Sequence, residues 1–175
     1  MRWSSRAGRL PNDVRSALSL GRGDHILAQA PTLGGSFVVA TTGALYLPDG
    51  QGDFLRLPWE RIGQASWREG HLHVREQGPD APEYEVGFTD PGSVPEIVQE
   101  RITATIVISH YAELPSGGGV RVVGRRGLLP VKPTVQGTTD LHWSFVFDPG
   151  LDPTDPALLT QAEAVLENLR LQTGL

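Results

Sequence analysis

Between Asp24 and Phe88 the chain breaks into short runs with strand character, and this most narrows the folds open to it. Asp24–Ala30, Ser36–Thr41, Ala44–Leu47, Phe54–Leu57, Gly63–Arg68, His71–Arg75 and Glu83–Phe88 are four to seven residues long, with Gly, Pro or Asp between them. Thr42-Gly43 and Glu69-Gly70 are spaced as two-residue hairpin turns. Tyr84, Val86 and Phe88 alternate with Glu83 and Glu85, so one face of that strand is apolar and the other solvated. About seven strands with short loops in 65 residues imply a barrel or sandwich.

A helix is expected next, over Val94 to Ser109, covering one open end of the barrel. Ser93 and Glu96 are spaced as a capping box, and Pro95 stands in the first turn. Val94, Ile97, Val98, Ile102 and Ile106 recur at helical spacing. The stretch from Ile102 to Ile108 is rich in β-branched residues, which favours an extended far end. Ser116–Gly119 reads as a flexible joint. After it, Val120–Arg126 and Leu141–Phe147 form a strand pair around a Pro/Gly/Thr loop. Asp155 and Pro156 start an amphipathic helix with the stripe Leu158, Ala162, Val165, Leu166 and Leu169, and Gly174 stops it. At the other end, Pro11–Leu20 reads as a short helix capped by Asn12 or Asp13, with Val14, Ala17 and Leu18 as its apolar face. The organisation is therefore a basic arm and short helix (1–22), a barrel with its helix (24–112), and a C-terminal strand pair and helix packed on it (116–175). The fold class is α+β.

Charge divides the same way. Residues 1–22 carry five arginines against Asp13, a net of +4, and the remainder carries ten basic and nineteen acidic residues, a net of −9. An acidic body repels nucleic acid and anionic lipid, so neither is expected to bind there. Cysteine is absent, which excludes disulfides, a thiol nucleophile and cysteine metal sites. The first residues lack the apolar core of a signal peptide, and a cytoplasmic location is expected.

The segment LPWERIGQASW (Leu57–Trp67), the helix PEIVQERITATIV and the tail HWSFVFDPGLDPTDP are similar to those of a family of actinobacterial proteins with a PH-like (pleckstrin-homology or GRAM-like) domain. The resemblance covers most of the chain. It implies a PH-like barrel with a capping helix, and it implies no activity. Phosphoinositide-binding PH domains use basic residues between their first two strands. Ala30–Ser36 (APTLGGS) has none, which disfavours that ligand.

Five groups of residues invite a functional reading. Arg121, Arg125 and Arg126 are the basic cluster of the body, with Lys132 in the next loop, and suit an acidic partner or an anion. The plainer reading pairs them internally with Asp148, Asp152 and Asp155. Arg2, Trp3, Arg6 and Arg9 give the N-terminal arm the character of a weak contact for a membrane surface or a partner; otherwise it is a solvated arm. His71 and His73 share a strand face, as the first two ligands of a metal site do, but the third would have to come from His142, His110, Glu85 or Glu83. A half-exposed strand is the plainer account of them, and no metal or cofactor is assigned. Gly21-Arg22-Gly23-Asp24 spells a cell-adhesion tetrapeptide and reads as a turn. Trp59, Trp67 and Trp143 stand among charges of both signs and read as packing anchors rather than base-stacking platforms. No G-x-S-x-G elbow or phosphate loop occurs. The expected function is a non-catalytic protein-interaction module, binding through a sheet edge or the groove beside the Val94 helix. The alternative is a peripheral membrane adaptor that uses the basic arm.

Overall fold

The computed structural model of the chain describes residues 10–129 and 141–175. A short helix α1 (Asn12–Ala17) is followed by β1 (Ile26–Pro31), β2 (Phe37–Thr41), β3 (Ala44–Pro48) and β4 (Phe54–Pro58). A single 3-10 turn, Trp59–Arg61, leads to β5 (Ile62–Arg68), β6 (His71–Glu76) and β7 (Glu83–Gly87). Then come α2 (Val94–Ala104), β8 (Ile106–Glu113), β9 (Gly119–Arg125), β10 (His142–Phe147) and α3 (Pro156–Thr173). All seven strands expected before α2 are present.

These strands form three antiparallel sheets, β1-β2-β3-β4, β5-β6-β7 and β10-β9-β8. No closed barrel exists among the described residues, which corrects the sequence expectation. The physical cause lies at Pro58. The 3-10 turn there carries the chain out of the first sheet, and β4 makes no ladder with β5. At the other side a single bridge, Thr32 to Phe88, ties the loop after β1 to the residue after β7.

The first two sheets enclose the main core. Ala28, Ala30, Val38, Ala40, Leu45, Leu47 and Leu57 from the first sheet meet Ile62, Leu72, Val74 and Phe88 from the second. The open side is filled by Val94, Val98 and Ile102 of α2, the helical stripe read from sequence. Trp59 is fully buried in this core, and its indole N–H donates to the Thr41 carbonyl at 2.9 Å. The outer face of the first sheet is covered too. Val39, Ala44 and Tyr46 pack under Leu10 and Leu18, and the Tyr46 hydroxyl donates to the Ser19 carbonyl at 3.0 Å. β2 and β3 therefore read as nearly continuous buried runs.

Several local expectations need correction. α1 ends at Ala17 and is capped by Pro11, with no side-chain cap; its apolar contacts come from Val14 and from Leu10 and Leu18 on either side. Ser93 is the N-cap residue of α2, yet no capping-box hydrogen bond forms. α2 does not reach Ser109. It stops at Ala104, and β8 begins after Thr105, so the β-branched run from Thr105 onward is extended. β8 then joins β9 and β10, turning the expected strand pair into a three-stranded sheet. The joint at Ser116–Gly119 is the turn of the β8–β9 hairpin, closed by the Leu114 N–H on the Gly118 carbonyl at 2.9 Å. α3 matches its reading closely. Asp155 accepts from the Ala157 N–H at 2.8 Å, Leu158, Ala162, Leu166 and Leu169 are buried, and Gly174 ends the helix at φ +71°. Hydrophobic contacts with Val120 and Val122 seat α3 on the third sheet.

Replacing Leu18 with Ala is expected to lower the unfolding free energy by about 2–4 kcal/mol in urea titrations, as for a core leucine. A loss under about 0.5 kcal/mol would place residues 10–20 outside the cooperative unit. Trp59→Ala is expected to cost about 3–5 kcal/mol in the same measurement.

Candidate functional site

The three arginines of β9 and its exit do not converge. Arg121 and Arg125 share a strand face but stand roughly 13 Å apart along it. Arg121 is exposed, lies over the Tyr111 ring at 5.6 Å and reaches Ser109 Oγ at 3.4 Å. Tyr111 in turn donates to Asp148 Oδ2 at 2.9 Å. That hydrogen bond, followed by burial, pushes the Tyr111 phenol above its ordinary value. Arg126 is exposed, and its backbone N–H donates to the Thr105 carbonyl at 2.8 Å. Arg125 is buried, with 7% of its surface exposed. Among the described residues, none of the three makes an ion pair with Asp148, Asp152 or Asp155.

Arg125 is held at the end of α2. Its Nη1 donates to the Ile102 carbonyl at 2.9 Å and to Thr105 Oγ1 at 2.8 Å. A cation at the carbonyl end of a helix is favourably placed. Nε has no hydrogen-bond partner among the described residues. Burial pulls the Arg125 guanidinium below its ordinary value.

Arg125 also lines a cleft of about 520 Å³ between the second and third sheets. One wall is β10, where Trp143 to Phe147 all contribute. Among the described residues β10 is an edge strand, hydrogen-bonded to β9 alone. Opposite it lie Gly63 and Gln64 of β5, also an edge strand, and the turn from Arg75 to Pro79. Leu151, Pro153 and Leu159 close the side toward α3. Register explains the aromatic wall. Trp143, Phe145 and Phe147 lie opposite Gly124, Val122 and Val120 and share their face, toward α3. Gly124 makes room for this packing, since a Cβ there would stand 2.8 Å from Ile108 Cγ2 and 2.9 Å from Trp143 Cζ3. Val146, on the opposite face, leaves 56% of its surface exposed.

The other charges of the cleft are spoken for. Glu76 accepts from Tyr84 Oη at 2.9 Å and pairs with Arg61 at 3.2 Å. Arg75 pairs with Glu83 at 3.4 Å and donates to the Pro79 carbonyl at 2.9 Å. Arg125 alone among the charged side chains lining the cleft has no counter-charge in the described residues.

The remaining candidates are quickly placed. Arg2, Trp3, Arg6, Arg9 and Lys132 lie outside the described residues. His71 and His73 both face Glu85, at 3.9 and 3.7 Å, but among the described residues no group of three His, Asp or Glu side chains is arranged to hold a metal ion. Glu83 and Glu85 are exposed, as expected. Arg22 and Gly23 form a turn, and Asp24 is buried, its Oδ1 accepting from the Gly43 N–H at 3.0 Å. Trp67 is half-exposed and packs on Phe88 at 5.4 Å, while Trp143 lies under Arg170 at 5.4 Å. No described helix is long and apolar enough to cross a membrane.

No family model, curated protein or solved structure matches the chain. The cleft itself was legible only in part. Arg125 stands out in sequence for its charge, and LHWSFVF carries an unused signal: an alternating strand with an apolar residue, Val146, on the face opposite its three aromatics.

Asp148→Asn is expected to bring the Tyr111 ionisation down toward that of free tyrosine, because it removes the carboxylate that accepts the phenol's hydrogen bond and repels the phenolate. Ultraviolet titration against a Tyr111→Phe control reads this directly; an unmoved titration would mean that the contact with Asp148 does not persist in solution.

Proposed function

We propose that the chain is a non-catalytic interaction module built on a PH-like core, and that it binds an extended peptide in the cleft beside β10. The PH-like reading is supported by seven consecutive strands in sheets of four and three, followed by a helix that fills the space between them. The observation that carries the binding reading is the edge of β10 that no described strand pairs with. Five consecutive residues, Trp143 to Phe147, line the cleft along an unpaired strand edge. An unpaired edge presents backbone donors and acceptors that an added strand satisfies. The side chains of such a strand alternate, and the cleft offers two unlike surfaces to receive them: aromatic toward α3, small and aliphatic at Ser144 and Val146. Its volume is within the range of peptide and ligand sites. The edge spans roughly 17 Å, enough for about five residues.

Val146→Asp places a charge in the cleft at an exposed position, where stability changes by no more than about 0.5 kcal/mol. Selection of short displayed peptides against the full chain is expected to enrich binders that shift the amide resonances of residues 143–147. Val146→Asp is expected to weaken them at least about tenfold, through the lost apolar contact and an unpaired desolvated charge. Absence of enrichment, or binders indifferent to Val146→Asp, would overturn the reading.

A further inference from the structure

We infer that two copies of the chain associate edge to edge through β8, antiparallel about a twofold axis at Tyr111, with Glu113 of each copy paired to Arg121 of the other. β8 does not line the cleft beside β10, so the inference stands apart from the peptide reading.

Three observations lead to it. The first is the edge itself. Among the described residues β8 is hydrogen-bonded to β9 alone. Of its eight residues, Ile106, Val107, Ser109, His110, Tyr111 and Glu113 are exposed. Edge strands are ordinarily guarded by Lys, by Pro, by an inward charge or by a bulge that twists the edge away. β8 contains no Lys, Arg or Pro, and its bulge lies between Ile106 and Ile108, which leaves Ser109–Glu113 regular. Just beyond β8, the Leu114 N–H bonds inward, to the Gly118 carbonyl at 2.9 Å. By the alternation of an antiparallel ladder, Glu113, Tyr111 and Ser109 then turn their backbone N–H and C=O groups out of the sheet.

The second observation is where two charges stand. Arg121 arises on β9, one strand in, but its side chain reaches out to the edge strand. Its Nη1 approaches Ser109 Oγ at 3.4 Å, and its guanidinium lies over the Tyr111 ring at 5.6 Å. Tyr111 leans the other way, its hydroxyl over Gly119 and bonded to Asp148 Oδ2 at 2.9 Å. The cation is thus delivered to the open edge, and the phenol is drawn back from it. Among the described residues neither Arg121 nor Glu113 forms an ion pair.

The third is register. Ser109, Tyr111 and Glu113 pair with Val123, Arg121 and Gly119, so they share one face of the sheet. A twofold axis at Tyr111 sets Ser109 opposite Glu113 of the second copy, and Glu113 opposite its Ser109. Opposed residues lie on one face with Cβ atoms about 4.5–5.5 Å apart. The carboxylate therefore arrives at the residue that Arg121 already touches, and the contact forms twice. The outward backbone groups meet along the same ladder, and the two Glu113 side chains stand at its opposite ends. Two copies of net charge −5 repel at a distance, but from Ser109 to Glu113 β8 and its β9 partners hold one acid and one base. An arbitrary strand would supply the backbone bonds alone; a second copy supplies both halves of the charge pairing. The ladder is short, so the dimer is weak, with a dissociation constant on the order of 100 μM.

The test is sedimentation equilibrium of the full chain from roughly 5 to 500 μM, a range that brackets that constant. Monomer and dimer are expected to exchange across it. Glu113→Arg and Arg121→Glu, both at exposed positions, each oppose like charges twice and are expected to weaken the dimer at least about tenfold. An equal mixture of the two variants opposes unlike charges at both contacts and is expected to regain the dimer. In the unmodified chain the amides of Ser109, Tyr111 and Glu113 are expected to gain protection from hydrogen exchange as concentration rises, a reading that needs no variant to fold. A chain that stays monomeric throughout overturns the inference. So does a dimer that both folded variants retain, or a mixture of folded variants that stays monomeric.

Discussion

Two open sheets, each with one apolar face, cannot be stable until something fills the wedge between them. Here α2 does so. Val94, Val98 and Ile102 enter a core to which both sheets contribute, and the ladders themselves supply almost no link, since a single bridge from Thr32 to Phe88 joins the sheets. Burying three β-branched side chains from one helix stabilises the assembly by several kcal/mol, at about 1.5–3 kcal/mol for each. The N-terminal segment does the corresponding work on the outer face of the first sheet. With both faces covered, β2 and β3 lose the polar alternation of a half-exposed strand and become almost continuously apolar.

The end of α2 also decides where the third sheet lies. Only Thr105 separates α2 from β8, and it is fully buried. Its hydroxyl donates to Ile102 O and accepts from Arg125, and its carbonyl accepts from the Arg126 N–H. Helix end, first strand and last residues of β9 are therefore fastened at one point. The cleft opens beside that point because β10, the far strand of the third sheet, and β5, the first of the second, come to face each other with no ladder between them.

What the sequence reveals and hides follows from where the deciding forces are local. Strand positions, the two-residue turns and both ends of α3 depend on neighbours in sequence: Gly70 at φ +79°, Asp155 on Ala157, Gly174 at φ +71°. They are readable from the residues alone. The length of α2 is not. Ile106 continues its apolar spacing, and pattern alone extends the helix, whereas the third sheet needed β8 as a strand and the β-branched residues allowed it. Barrel closure was equally out of reach, because it turns on whether one 3-10 turn after Pro58 keeps β5 in the first sheet. The arginines show the same limit in the site. Even spacing puts Arg121 and Arg125 on one face, but burial by the end of α2 separates a surface residue from a buried one.

Every sheet among the described residues is a meander of consecutive strands: β1 to β4, β5 to β7, β8 to β10. Among the described residues each strand pairs with its neighbour in sequence, and all these ladders but β9–β10, whose connection is sixteen residues long, close over short loops at low entropic cost. The slow step in reaching the native state is then the docking of preformed hairpins around α2, rather than strand pairing. On that account, truncating Val98 slows refolding more than weakening any single turn does, and the time spent with open, undocked edges is set by one helix.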